Sequence, residues 1–376
     1  MVKILVSAIE VSGDMHAANL VAAMQDLRSD LEFVGLGSEK LAARGMRIVA
    51  DVTARSTVGM IEPLKHIGAY LKVLKNLKKC MREERPDLVL LVDGQGFNMP
   101  VANAAKTLGI PVVYYIAPQE WLWGTVEGGK KVAEVCRKII AIFPEEAAFY
   151  KKLGVAAVYN GHPLTDIVCP TKTKAEFCAE YTLDIQKPIV ALFPGSRQQE
   201  LKMFLPILVK MTKLVPLDVQ WVIAAANNQC YMQMVHATTG TTIPIVSQDN
   251  YNLMAAADLI VSSTGTITLE AALIGTPLMA IYKLSPLSYW LAKKLVGSRI
   301  PKFMALPNLL TGKAIMPEHI QQGVEPQFLA DRVTELLKTP EKMTEIRNNF
   351  AELKNKLLKS DVLKNNAEDV LAVLGK

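Results

Sequence analysis

Short runs of Val, Ile and Leu alternate with stretches of helical periodicity along most of this chain of 376 residues, and no other feature limits its fold so strongly. The runs predict strands at 2–9, 32–36, 87–92, 111–116, 138–143 and 156–159. A second series is predicted at 188–193, 219–224, 243–246, 259–261 and 277–282. Helical patterns such as 15–28, 101–108, 201–214 and 266–274 fall between them. Strand and helix taking turns require right-handed crossovers, and therefore parallel sheets covered on both faces. The apolar runs lack polar alternation, as strands buried on both faces should.

The two series open alike. The run 2–9 leads into a polar loop holding Glu10, Ser12, Gly13 and Asp14, and the run 188–193 leads into Pro194-Gly-Ser-Arg197. Residues 161–188, with prolines at 163, 170 and 188, read as the connection. The expectation is an α/β chain of two Rossmann-like, doubly wound parallel sheets facing each other across a cleft. Their spans are 1–168 and 169–325, a length compatible with two cores at ~100–200 residues per domain. Residues 326–376 show helical patterns only, one of them opened by Pro340. They are expected to pack back across the cleft or onto a partner subunit.

Composition excludes several classes. Half of the residues are hydrophobic and 21% are charged, which excludes a disordered chain. No segment approaches the ~18 uninterrupted apolar residues of a membrane span, and the opening run is too short for a signal peptide. Five cysteines without a CxxC pair fit a reducing cytoplasm. Lys and Arg exceed Asp and Glu by only 42 to 36, which does not call for a nucleic-acid partner. The distribution is more telling: six basic residues and no acidic one lie between Lys65 and Arg82. Ile67, Tyr70, Leu71, Leu74, Leu77 and Met81 recur there at helical spacing. This segment reads either as an ordinary surface helix or as an interfacial helix resting on anionic lipid.

Some familiar chemistries fail. Gly124 to Lys130 has phosphate-loop spacing, but Lys131 stands where Ser or Thr belongs. No GxGxxG follows the first strand, and no GxSxG is present. The five histidines (16, 66, 162, 236 and 319) show no HxxxH spacing, so no metal and no cofactor is expected. Two loops are better leads. In Pro194-Gly-Ser-Arg197, Gly195 allows close backbone approach, Ser196 can cap the next helix and Arg197 can hold a phosphate oxygen. In Ser262-Ser-Thr-Gly-Thr-Ile-Thr-Leu-Glu270, the amides at the helix start and the hydroxyls of Thr264 and Thr266, around Gly265, suit a diphosphate. Glu270 could accept from ribose. A plain capping box explains the same string. Glu10-Val-Ser-Gly-Asp14 and Asp93-Gly-Gln-Gly-Phe-Asn98 place carboxylates at the edge of the other sheet, as candidate bases or loop braces.

Taken in order, these strings resemble lipid-A-disaccharide synthase, a family of cytoplasmic glycosyltransferases of lipopolysaccharide synthesis. To the loops above the resemblance adds Val58-Gly-Met-Ile-Glu62, Arg85-Pro-Asp87, Tyr115 to Trp123, Phe143-Pro-Glu145 with Phe149-Tyr150, and Gly161-His-Pro163. In the second half it adds Glu200, Ser288 to Leu295 and Leu306-Pro-Asn308-Leu-Leu310. It implies a GT-B fold and a metal-independent, inverting transfer. UDP-2,3-diacylglucosamine would join 2,3-diacylglucosamine 1-phosphate, giving the β-1,6 disaccharide 1-phosphate and UDP. Another GT-B enzyme of UDP-N-acetylglucosamine, a peptidoglycan glycosyltransferase or a 2-epimerase, is the alternative. On the resemblance, Gly195, Ser196, Arg197, Thr264, Gly265, Thr266, Glu270 and Asn308 would hold the donor. Ser12, Gly13, Glu62, Asn98, Trp121 and His162 would hold the acceptor. The base would be Asp93, with Glu10 or Asp14 in its place because Gly96 stands at a usually acidic position. Ala117 replaces the family's usual Ser. A cytoplasmic protein peripheral to the inner leaflet is implied, and a homodimer is compatible.

Overall fold

The structure is a computed structural model that describes residues 1–50, 67–122, 124–285, 289, 294 and 302–375. The chain forms two compact units. Unit 1 holds the described residues up to Ile167 together with those from Leu358 onward, and unit 2 is Val168–Leu357.

Unit 1 is built on seven strands: β1 (Val2–Ala8), β2 (Leu31–Leu36), β3 (Arg47–Ala50), β4 (Leu88–Val92), β5 (Val112–Tyr115), β6 (Lys138–Ala141) and β7 (Ala156–Tyr159). They lie in the order β3-β2-β1-β4-β5-β6-β7, and each pairing is parallel. Unit 2 carries β8 (Ile189–Phe193), β9 (Gln220–Ala225), β10 (Ile245–Ser247), β11 (Leu259–Ser263), β12 (Leu278–Tyr282) and β13 (Glu318–Ile320). Their order is β10-β9-β8-β11-β12-β13, again parallel. The central strands β4, β8 and β11 are buried at every position, so each large aliphatic residue there contributes roughly 1.5–3 kcal/mol. In both units the strand order reverses between the first strand and the fourth, β1/β4 and β8/β11. Open α/β sheets bind ligands at such a switch point, outside the carboxyl ends of the strands.

Prolines mark strand entry. The carbonyls of Pro111, Pro188, Pro244, Pro277 and Pro317 each accept a hydrogen bond from the neighbouring strand. Lacking an N–H, such a residue can receive the ladder but not extend it, so the strands begin just after it. Two strands escape the apolar pattern, β3 and β13. Both are short, incompletely buried edge strands, and such strands carry no continuous hydrophobic run. Helices also start earlier than their apolar periodicity. Val11–Leu27 and Gln95–Thr107 take Ser12, Gly13, Asp14 and Asn98 into their opening turns, so these residues are helical instead of belonging to free loops.

The C-terminal helices divide between the units instead of forming one block. Pro326–Lys338 packs on Gln198–Thr212 and Pro340–Leu357 packs on Thr266–Ile274, both in unit 2. The last helix, Val362–Leu371, packs on Val11–Leu27. It is latched there by Lys138 Nζ on the Asp369 carboxylate and by Asn160 Nδ2, which donates to Asn366 Oδ1 (3.0 Å) and Asp369 Oδ2 (2.6 Å). No helix among the described residues is long and apolar enough to cross a membrane.

At Gly35 (φ 150°) a Cβ would stand 1.9 Å from the carbonyl oxygen of Val6, its partner on β1. Backbone cannot retreat there without opening the β1–β2 ladder. Gly35→Ala should therefore destabilise the protein by about 3 kcal/mol in urea titration. A midpoint within error of the parent would contradict this packing.

Candidate active site

Unit 1 brings the first two carboxylate turns together at its switch point. Asp93 and Gly94, between β4 and the helix Gln95–Thr107, are consecutive left-handed residues with φ of 52° and 60°. The bend is held by Asn98, which is fully buried. Its Nδ2 donates to the carbonyls of Asp93 (2.6 Å), Val92 (3.2 Å) and Ser7 (3.3 Å), and its Oδ1 accepts from Ser7 Oγ (2.6 Å). Tyr114 Oη adds a second bond to Asp93 O at 2.9 Å. Asn98 is thus a strut across β1 and β4, with its hydrogen-bonding capacity spent inside the protein. Asp93 itself is half-buried, and its Oδ1 accepts from Gly94 N at 2.7 Å. A Cβ built on Gly13 would lie 3.9 Å from that of Asp93, so the turn after β1 touches the turn after β4.

The other candidate bases differ. Asp14 is buried, with Oδ1 accepting from Ser38 N (2.7 Å) and Oδ2 from Lys40 N (3.1 Å). Burial pushes its pKa up and those amides oppose the shift. Its place is to tie the first helix to the turn after β2. Glu10 takes the N-cap position of Val11–Leu27 without a side-chain cap bond, and Ser12 is half-buried in the opening turn.

Among the expected acceptor contacts, Trp121 is half-buried, its ring 6.0 Å from that of Phe143, which lies 5.3 Å from His162. His162 is buried and its Nδ1 accepts from Leu164 N at 3.2 Å. Burial lowers its pKa to about 3, helped by nearby His16, itself lowered to about 4. Both rings are neutral at physiological pH, so neither offers a positive charge to a phosphate. Glu62 and Trp123 lie outside the described residues, as does most of the Ser288–Leu295 string.

In unit 2 the two glycine turns at the switch point are finished in opposite ways. After β8, Gly195 has φ 121° and a Cβ on it would meet Glu200 Oε2 at 2.3 Å. That oxygen accepts from Ser196 N (2.9 Å) and Arg197 N (3.2 Å), and Oε1 receives Arg197 Nη1 at 3.3 Å. Arg197, not Ser196, takes the N-cap position of the helix Gln198–Thr212, and Glu200, three residues on, accepts the two amides that precede its first turn. It also pairs with the guanidinium. After β11, the helix Thr266–Ile274 has Gly265 at its N-cap and no side-chain cap. The Thr268 hydroxyl turns back to Gly265 O (2.8 Å) and accepts from Leu306 N (3.3 Å). The string therefore does not act as a simple capping box. A helix start without a side-chain cap, flanked by Thr264 and Thr266, leaves first-turn amides of the kind that favour negative charge. Glu270 sits further along, buried beside Tyr251.

Asn308 is buried and braces the strand beyond it. Its Oδ1 accepts from the amides of Ile315 (2.9 Å) and Met316 (3.1 Å), while Nδ2 donates to Met316 O and Glu318 Oε2, each at 3.1 Å. Among the described residues no group of three or more His, Cys, Asp or Glu could hold a metal ion. Sequence reasoning passed over Glu146, a fully buried carboxyl next to the Phe143-Pro-Glu145 string; only its place beside that string could have flagged it.

Removing the strut should be costly. Asn98→Ala leaves the Ser7 hydroxyl and the Asp93 carbonyl with fewer partners in a dry site, and should lower stability by about 2–3 kcal/mol on thermal unfolding. An unchanged midpoint would mean that Asn98 does not carry the bend.

The chain matches the family model described as lipid-A-disaccharide synthetase over residues 4–372. It is 34% identical over 380 residues to the lipid-A-disaccharide synthase of Geobacter metallireducens, covering all of this chain and 98% of that one. Solved structures share the fold at low identity. The UDP-GlcNAc 2-epimerase of Neisseria meningitidis, bound to UDP-GlcNAc, aligns with a TM-score of 0.64 at 12% identity over 99% of each chain. CalG4, the calicheamicin glycosyltransferase, aligns with a TM-score of 0.62 at 14% identity over 100% of this chain and 99% of that one. These neighbours identify the GT-B architecture, and their low identity carries nothing further; the epimerase alternative is not favoured. With the family model spanning nearly its whole length and a full-length relative at that identity, the chain belongs to the lipid-A-disaccharide synthase family of GT-B glycosyltransferases.

Proposed function

We propose that the protein joins a UDP-diacylglucosamine donor to a diacylglucosamine 1-phosphate acceptor, forming a β-1,6-linked disaccharide 1-phosphate and releasing UDP. The uncapped helix start at Gly265–Thr266 carries this reading, because it sits at the switch point of unit 2 where the neighbouring turn presents Arg197. The departing diphosphate gains negative charge as the glycosidic bond breaks. Backbone amides of Thr266 and Ile267, the positive end of the helix and the Arg197 guanidinium supply the opposing charge, and a divalent ion is not needed for it.

Unit 1 takes the acceptor in this proposal. Its sugar hydroxyl attacks the anomeric carbon from the face opposite UDP, which inverts the centre through an oxocarbenium-like state. Asp93 takes the hydroxyl proton. Of the three carboxylates it is preferred over Asp14, whose two oxygens are spent on backbone amides. The acyl chains bring the protein to the inner-leaflet surface. On the helix Ile67–Glu84, Leu77, Cys80 and Met81 are buried in the core and Tyr70 packs on Phe97. Leu71 is 60% exposed and shares the outer face with Lys72, Lys75, Lys79 and Arg82. That face supports peripheral attachment through charge more than through apolar area. A homodimer belongs to the same proposal.

Two variants separate the roles. Arg197→Ala should weaken donor binding by ~10–100-fold, the worth of one charge-assisted hydrogen bond. Asp93→Asn should leave donor affinity unchanged and lower kcat by ~10²–10⁴. Calorimetric titration with UDP, paired with mass spectrometry of products from a mixture of UDP-sugars and lipid acceptors, checks both. Near-normal turnover in Asp93→Asn moves the base elsewhere, and products formed only from unacylated sugar reject the substrate assignment.

A further inference from the structure

Two neighbouring helices of unit 1 leave a gap between them. Gln95–Thr107 begins directly after the Asp93–Gly94 bend, and Val126–Val135 follows the turn after β5. Between them lies a cavity of about 470 Å³, a size usual for small-molecule sites. Its floor is Met99, half-buried, with the buried Val132 and Val135. The residues that would fill such a gap are short. Gly128 has no side chain, and Asn103 turns its Nδ2 back onto Met99 O at 2.9 Å. Lining positions 95, 99, 103 and 106 succeed one another at three- and four-residue steps, so the cavity is a groove along one helix face. From Gln95 to Lys106 it extends ~16 Å at the rise of an α-helix.

The end nearest Asp93 is framed by Glu120. Its Oε1 accepts from Gln95 Nε2 and its Oε2 from Thr125 N at 2.9 Å, so one carboxylate ties the turn after β5 to the starts of both helices. A Cβ on Gly128 would lie 2.3 Å from that Oε2, and one on Gly124 1.8 Å from it. Glycine at both positions therefore leaves Glu120 its place in the mouth. At the far end the exposed Lys106 and Lys131 stand on the rim. Gln95–Thr107 also packs on Ile67–Glu84, and all three helices cover one face of the sheet over a shared core. The groove thus opens on the side that carries Leu71 and the lysines of Ile67–Glu84. Its floor of hydrocarbon and thioether suits a flexible chain, along which lysine stems can lie with their charges in water. Glu120 and Glu134 on its border oppose an anion.

We propose that the groove between Gln95–Thr107 and Val126–Val135 is the subsite for one acyl chain of the acceptor, with its sugar end at the Gln95–Glu120 mouth and its methyl end between Val135 and Lys106. This rests on the reading of unit 1 as the half that takes the acceptor. It makes Met99, Val132 and Val135 determinants of the acyl length that the protein accepts, because a chain longer than the groove must leave it past the two lysines.

The experiment compares the full-length protein with Asn103→Trp, whose ring fills the groove from an exposed helix position, and with Asn103→Ala as control. Glucosamine 1-phosphates bearing long acyl chains or acetyl groups serve as acceptors. Asn103→Trp should lower kcat/KM for the long-chain acceptor ~10–100-fold, through KM more than kcat. It should leave the acetylated acceptor and the affinity for UDP unchanged, and Asn103→Ala should behave as the parent. No loss, or the same loss for both acceptors, would overturn the proposal. A second measurement needs no variant: a long-chain acceptor with a photoreactive group at the acyl end is cross-linked to the parent and the labelled peptides are sequenced. Label at residues 99–106 or 131–135 is expected. Label confined elsewhere, or brought to those residues only by the chains of the donor, would overturn the assignment. Absence of transfer by the parent with every acceptor would instead reject the proposed function, while the cross-link would still judge the groove.

Discussion

Parallel pairing governs where chemistry can happen in this molecule. When every strand of a sheet runs the same way, all strand-to-helix turns leave from one edge, and the helices they feed point their N-termini back toward it. In each unit the reversal of strand order then parts two neighbouring helices and leaves room between their turns. The turns that flank those gaps are the ones after β1 and β4 in unit 1 and after β8 and β11 in unit 2. They contain Glu10 to Asp14, Asp93 to Asn98, Pro194 to Arg197 and Ser263 to Thr266. Four polar strings far apart in the chain are thus reduced by topology to two places.

Within those places, most polar side chains are consumed in building the turns. Asp14 fastens the turn after β2, Asn98 locks the bend at Asp93, Glu200 occupies two amides after β8, and Asn308 binds the segment leading to β13. Each is buried or nearly so, and each has at least two short bonds to backbone. Beside them stand a helix start that no side chain caps, a guanidinium paired with Glu200, and a half-buried aspartate on a left-handed bend. Such bracing by buried polar groups fixes the shape of the turns. Two buried histidines, His16 and His162, lie beside aromatic rings and are neutral.

Much of the fold was legible in the residues because its strands are buried on both faces. Runs such as Leu88–Val92 and Ile189–Phe193 admit hardly any other reading, and prolines punctuate their starts. The edge strands Arg47–Ala50 and Glu318–Ile320 were not legible, since a half-covered strand three or four residues long needs no apolar run. The candidate site was legible as a set of strand-to-helix turns and less so in what each side chain in them bonds to. Asn98 and Asn308 stand in recognisable strings, yet their work is internal, and only the distances reveal it. Ser196 looked like the cap of its helix, but Arg197 takes the N-cap position, and Glu200 accepts the Ser196 and Arg197 amides because Gly195, without a Cβ, lets its carboxylate close on the turn. Glu146 left almost no trace, being one of two adjacent acids on its helix, of which it alone is buried.

In the proposed reaction the helix start at Gly265–Thr266, with Arg197 on the topologically adjacent turn, receives the diphosphate. A crystal structure of the protein soaked with UDP in the presence of EDTA tests it most directly. The expected result is both phosphates within hydrogen-bond distance of the Thr266 and Ile267 amides, with the Arg197 guanidinium on one of their oxygens. UDP seated on unit 1, or bound on unit 2 away from that helix start, would contradict it.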